Sequence, residues 1–375
     1  MIMKKNLLFI AAGALIFASC SNSELLNDIQ DEQVEIGFST FKENLTRAEN
    51  STATEKHGLN THHTAFKVWG YKTVSGTPSN VFVGTQVNYT ANSIWEYTPL
   101  RFWDKSATDY KFFAAAPATV SWAFANDKFT LTSFTVDGAT IAASSTIDAD
   151  ANFGAKDIMI SEDVTVLPAK YTSEKVQLNF IHLLTRLNIG VKKASPVLDD
   201  YVVKLTSIKV FNLVDGADFS EATAAVQAGS IARWSANNVI SNNSKAGYGY
   251  TTQTEVTTSY NYVYQSLFIP QEIEYVADVP LNGTGLGNDS KPYLNIQYTI
   301  YASDGTTAID SYSYFYNLAD MFNGNGANKD NDVAFNEGYM NNLMITINPV
   351  AINFEANVYE WKPTTDTEVN VPDVN

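Results

Sequence analysis

One cysteine, Cys20, stands in 375 residues. That scarcity excludes an internal disulfide and a CxxC metal site, so the fold rests on its packed core alone. Basic residues are also few: Lys and Arg total 24 against 40 Asp and Glu, a formal net charge of −16. Phosphate backbones are gripped by basic faces, so a nucleic acid partner is excluded. Long apolar runs are missing too. The longest oily stretch spans residues 7–18, well short of the ~20 residues that a spanning helix needs. Catalytic signatures are lacking as well. There is no GxSxG elbow, no HExxH pair and no glycine loop closing on Lys-Ser or Lys-Thr. With the lone cysteine near the N-terminus, a thiol nucleophile is also excluded, and the chain reads as no enzyme and as needing no cofactor.

What is present begins at the N-terminus. Lys4 and Lys5, the short oily run and small residues before Cys20 have the layout of a secretory signal. Phe17-Ala18-Ser19-Cys20 resembles a bacterial lipobox, with Phe17 in place of the usual leucine. On that resemblance residues 1–19 are a signal peptide and the sulfur of Cys20 carries lipid. Residues 21–33 are polar and acidic, a tether. "VEIGFSTF" then alternates Val34, Ile36 and Phe38, the period of a half-buried strand. The polar stretch at 42–63 predicts an exposed loop that holds His57, His62 and His63, three histidines with no carboxylate or thiol framework to make a metal site.

From there to the C-terminus short strands follow one another, rich in Val, Ile, Thr, Tyr and Phe. "KKASPVLDD" at 192–200 reads as a linker, and "SEATAAVQAG" as a short helix with Ser220 as its N-cap. The pattern predicts an all-β protein of two tandem β-sandwiches with few or no helices, one over 48–195 and one over 196–375. Asp148, Asp150 and Asn152 alternate like calcium ligands, but Phe153 and Met159 stand where an EF-hand needs glycine and a carboxylate. "NKDND" at 328–332 is a second acidic loop with no better claim, so no metal is expected. His182 reads as a core or edge residue. Trp69, Trp95, Trp103, Trp122, Trp234 and Trp361 could stack on sugars or fill the core, and core is the reading preferred for the first three.

"AFKVWGYK" (65–72), "WEYTPLRFWDKSATDYKFFAAAP" (95–117), "VQLNFIHLLTRLNIGV" (176–191) and "LFIPQ" (267–271) resemble the fimbrillin (FimA/Mfa-like) type V pilin subunits of Bacteroidetes. The resemblance implies transthyretin-like sandwiches and a lipoprotein precursor at the outer membrane. It also implies an arginine-specific protease that removes the first strand, and a groove that accepts a C-terminal strand from a neighbouring subunit. Arg47 is the only arginine before Arg101 and lies in the polar loop, so cleavage is expected between Arg47 and Ala48. That cut would release residues 20–47, including Val34, Ile36 and Phe38. At the other end Ile352, Phe354, Ala356 and Val358 alternate, and so do Val369 and Val371 in "TEVNVPDVN", a donor tail. Three roles follow: a stalk subunit of an extracellular fimbrium, a tip or adhesin subunit, or a lipid-anchored glycan-binding protein. The expected partners are other pilin subunits, the protease and, before cleavage, the membrane.

Overall fold

A computed structural model describes residues 33–40, 59, 63–90, 94–136, 140–141, 153, 156–172, 174–214, 216–221, 231–235, 248–250, 253–275, 292–323, 332–348 and 352–360. Within them nearly all of the regular secondary structure is strand. The fold class expected from the sequence is all-β, and the described elements agree. The helical elements among them are one short α-helix, Leu318–Asn323, and the 3-10 turn Pro168–Lys170, in keeping with the few or no helices expected. The α-helix follows directly on the strand Ala308–Asn317, and the Asn317 side chain accepts the Ala319 N–H at 3.0 Å.

The N-terminal part is organised around Asp109–Ala116, which reads "DYKFFAAA" and is buried on both faces. Tyr110, Phe112, Ala114 and Ala116 point into one apolar cluster, while Phe113 and Ala115 point into another. Alternation therefore fails along this strand because neither face meets water. Its sheet runs Phe180–His182, Met159–Ser161, Asp109–Ala116, Ala65–Val74, Thr77–Tyr89 and Trp95–Glu96, with Val164–Val166 also on the central strand. Gly70 is required here, since a Cβ would sit 2.8 Å from the Lys111 carbonyl. Gly84 has φ +65° and lies under the Trp69 ring.

The second cluster is closed by a four-stranded sheet of Trp234–Ser235, Gly216–Ser220, Lys128–Thr135 and Ala123–Ala125. Ser220 ends a strand, its N–H donating to the Arg233 carbonyl, while residues 222–230, the body of the expected helix, lie outside the described residues. The third cluster lies between two five-stranded sheets. One runs Ile352–Glu360, Tyr339–Ile347, Thr185–Lys193, Asn261–Phe268 and Thr140–Ile141. The other has Tyr248–Tyr250, Val202–Phe211, Tyr293–Tyr301 and Ala308–Asn317 in order, with Thr254–Val256 beside the second of these. Among the described residues four pairings run across the 195/196 division. Thr185–Lys193 pairs in parallel with Tyr339–Ile347 and antiparallel with Asn261–Phe268, Asn261–Phe268 pairs with Thr140–Ile141, and Lys128–Thr135 pairs with Gly216–Ser220.

Two polar features lie deep. Arg186 is fully buried, its Nε donating to Asn188 Oδ1 and its Nη2 to Gln265 Oε1, both at 2.8 Å. His63 is also buried, contrary to the exposed loop expected for it, with Nε2 2.5 Å from the Asp157 carbonyl oxygen. Asp157 meets His182 as well, Oδ1 to Nδ1 at 2.8 Å, so His182 is the core residue its sequence context predicts. Polar composition around His63 hid a tertiary contact made 94 residues away. His57 and His62 lie outside the described residues.

Candidate functional site

Residues 33–40 do not join either edge of the large sheet. They lie between two short extended segments, 101–103 on one side and 176–178 on the other. On the first side Ile36 N–H donates to the Arg101 carbonyl and Trp103 N–H to the Val34 carbonyl, both at 2.9 Å. On the second, Val176 N–H donates to Gly37 O and Leu178 N–H to Ser39 O, both at 2.8 Å. The Glu35–Phe102 bridge is antiparallel, while Phe38 and Ser39 pair in parallel with Val176 and Gln177. The strand is therefore satisfied on both edges. Two side chains add to this: Tyr97 Oη donates to the Ile36 carbonyl at 2.7 Å, and Trp95 Nε1 donates to Thr40 Oγ1 at 3.1 Å.

The period of two read from the sequence decides what the strand buries. Ile36 and Phe38 are 0% exposed, and Val34 packs part-buried against the same cluster. Phe38 reaches the floor of the slot, where Phe66, Phe82, Tyr97 and Phe112 surround its ring at centroid distances of 5.4 to 6.3 Å. One wall is Trp103, stacked on Tyr171 at 4.9 Å and 9°, with its Nε1 donating to the Thr172 carbonyl. The turn after Trp103 is pinned by Asp104, whose carboxylate meets Lys72 Nζ at 2.5 Å and accepts from the N–H and hydroxyl of Ser106. The Lys72 ammonium holds the Asp104 carboxyl far below the usual carboxylate range. Burial pushes the Tyr97 hydroxyl up to about 12, which keeps it a donor to Ile36 across the ordinary pH range.

The aromatic segment 95–112 is thus the slot itself: Trp95, Tyr97, Trp103, Tyr110 and Phe112 line it, and Phe102, on the opposite alternation, is 39% exposed. The floor residues Phe66 and Phe82 were not singled out from sequence, because nothing local ties them to residue 38. Trp69, Trp95 and Trp103 are core residues as expected, and Trp122 and Trp234 are buried with them. Those five offer no sugar-stacking face; Trp361 lies outside the described residues. Cys20, Arg47, Ala48, Val369 and Val371 also lie outside them. Tyr97→Phe is expected to cost about 1 kcal/mol through the lost bond to Ile36. Hydrogen exchange at the Ile36 amide would read it as reduced protection local to this strand.

The family model described as fimbrillin-like matches residues 46–361. The chain belongs to the fimbrillin-like family. A fimbrillin-like chain is a structural subunit of a cell-surface appendage. No curated protein matches this fimbrillin-like chain. Among solved structures, a fimbrial protein from Bacteroides vulgatus is 19% identical with a TM-score of 0.50, covering 88% of this chain and 99% of that one. A candidate cell adhesion protein from Bacteroides uniformis is 14% identical with a TM-score of 0.43, covering 89% and 99%. The first of these likenesses shows a shared fold.

Proposed function

We propose that this fimbrillin is a pilus subunit that assembles by strand exchange. It is exported as a lipoprotein held at the outer membrane by Cys20. An arginine-specific protease cuts between Arg47 and Ala48, residues 20–47 leave, and a neighbouring subunit's strand fills the vacated slot. The segment around Val369 and Val371 is this chain's own donor strand, and the mature subunit joins an extracellular fimbrium. Its working parts are two sandwich units, 48–195 and 196–375, tied together by the strands that pair across the 195/196 division.

The observation that carries this reading is the way residues 33–40 are held. They fill an aromatic slot, pair on both edges, and belong to no other described sheet. Removing them would expose Phe66, Phe82, Tyr97 and Phe112 together with unpaired amides at Trp103, Val176 and Leu178. An incoming strand answers both deficits at once, by main-chain hydrogen bonds and alternate side chains.

The test is assembly of the purified precursor, treated with an arginine-specific protease, in the presence of the other pilin subunits expressed with it. The cut chain is expected to enter a ladder of oligomers on size exclusion, while Arg47→Ala stays out of it. A chain ending at Lys362 is expected to accept a strand but to donate none. If the cut chain releases residues 20–47 and remains a monomer beside those subunits, or if Arg47→Ala assembles equally well, the reading is wrong.

A further inference from the structure

The two buried side chains of residues 33–40 occupy positions of different kinds. Ile36 packs in the general apolar cluster, with its carbonyl taken by Tyr97. Phe38 sits in a cage of rings. Phe66, Phe82 and Phe112 meet it at interplanar angles of 86°, 70° and 80°, and Tyr97 is tilted at 57°. Edge-to-face contacts of this kind need a ring on both sides, because each pairs a positive edge with a negative face. An aliphatic group at that point would lose those contacts and leave part of the cage empty. The outward position between them discriminates less. A Cβ at Gly37 would lie 3.2 Å from Lys175 Cγ, but Lys175 is exposed and its stem can swing aside.

We infer that the slot selects its strand by a triplet: aliphatic, any residue, then a phenylalanine-like ring. The strand that replaces residues 33–40 therefore comes from a different subunit that carries such a ring at the second inward position. This rests on the strand-exchange reading above and narrows its partner. The chain's own Val369-Asn370-Val371 has the right spacing and too little volume at the second position. Ile352-Asn353-Phe354 does carry the triplet. That stretch, however, opens the strand Ile352–Glu360, which is paired with Tyr339–Ile347 from end to end. Lending it would strip the edge from a sheet. Successive subunits in the fibre are then unlike, and the Val369–Val371 tail serves a shallower slot on another chain.

The full-length chain, cut after Arg47, is titrated with three fluorescent peptides: residues 33–41, the same peptide with Phe38→Val, and residues 367–375. Peptide 33–41 is expected to bind. The Phe38→Val peptide should bind at least about tenfold more weakly, and peptide 367–375 at least about a hundredfold. If peptide 367–375 binds within about threefold of peptide 33–41, slot selectivity is refuted while strand exchange stands. Should peptide 33–41 itself fail to bind a chain that has lost residues 20–47, strand exchange falls and the selectivity falls with it. The uncut chain supplies a second reading that does not depend on release. Phe38→Val there should speed hydrogen exchange at the Val176 and Leu178 amides at least about tenfold, and unchanged rates would overturn the proposal.

Discussion

Phe38→Ala in the uncut chain is expected to lower the free energy of unfolding by about 3–5 kcal/mol, the range for removing a fully buried phenylalanine. The side chain is 0% exposed and central to four ring contacts, so the surrounding rings cannot collapse onto the space without losing their own packing. Urea unfolding measures the total. Hydrogen exchange should localise the effect first at Val176 and Leu178, whose amides donate to the strand. Val34→Ala, at a half-buried position, should cost far less. A Phe38→Ala loss below about 1 kcal/mol would mean that the slot is not a packed core.

The second large effect depends on pH. Glu337 is buried and receives two hydrogen bonds from Arg233, Nε to Oε2 at 3.0 Å and Nη2 to Oε1. Burial raises its carboxyl from 4.5 to about 7; Arg233 opposes that rise, and Glu221 adds slightly to it. The folded state therefore holds this proton more tightly than the unfolded chain does. The associated stability is fully present below pH 4.5 and is lost as pH rises through about 7. The gap corresponds to about 3 kcal/mol. Urea unfolding at steps from pH 4.5 to 8 should show this decline, and Glu337→Gln should flatten it. Stability that rises over the same range would show that the Arg233 pair outweighs desolvation.

Much of the strand content was legible because half-buried strands announce themselves by alternation. Val34, Ile36 and Phe38 gave away their inward face in this way, and Trp69, Trp95 and Trp103 gave away their burial by lying in apolar strands, while Trp122 and Trp234 could be read either way. Other features depend on distant partners that no local pattern encodes. His63 lies in a polar stretch, yet it is buried against Asp157. Arg186 sits inside "HLLTRLNIG", where its charge suggests an exposed position, and only Gln265, 79 residues on, shows how it is accommodated. The cage around Phe38 is drawn from four separate places in the chain. Its aromatic character was visible in "WEYTPLRFWDKSATDYKFF", but its purpose was not.

The mixed pairing of residues 33–40, antiparallel to 101–103 and parallel to 176–178, also bears on mechanical strength. A strand peeled from a single edge can give up its bonds in succession. One seated between two neighbours and pulled along its own length loads both rows together. The bonds from Ile36, Trp103, Val176 and Leu178 would then have to break in shear while Phe38 is dragged out of its cage. Forced extraction is governed by the barrier to leaving rather than by equilibrium affinity. Whatever strand occupies this position in a fibre is thus held best against tension along its own axis, the load that drag would place on a filament anchored at one end.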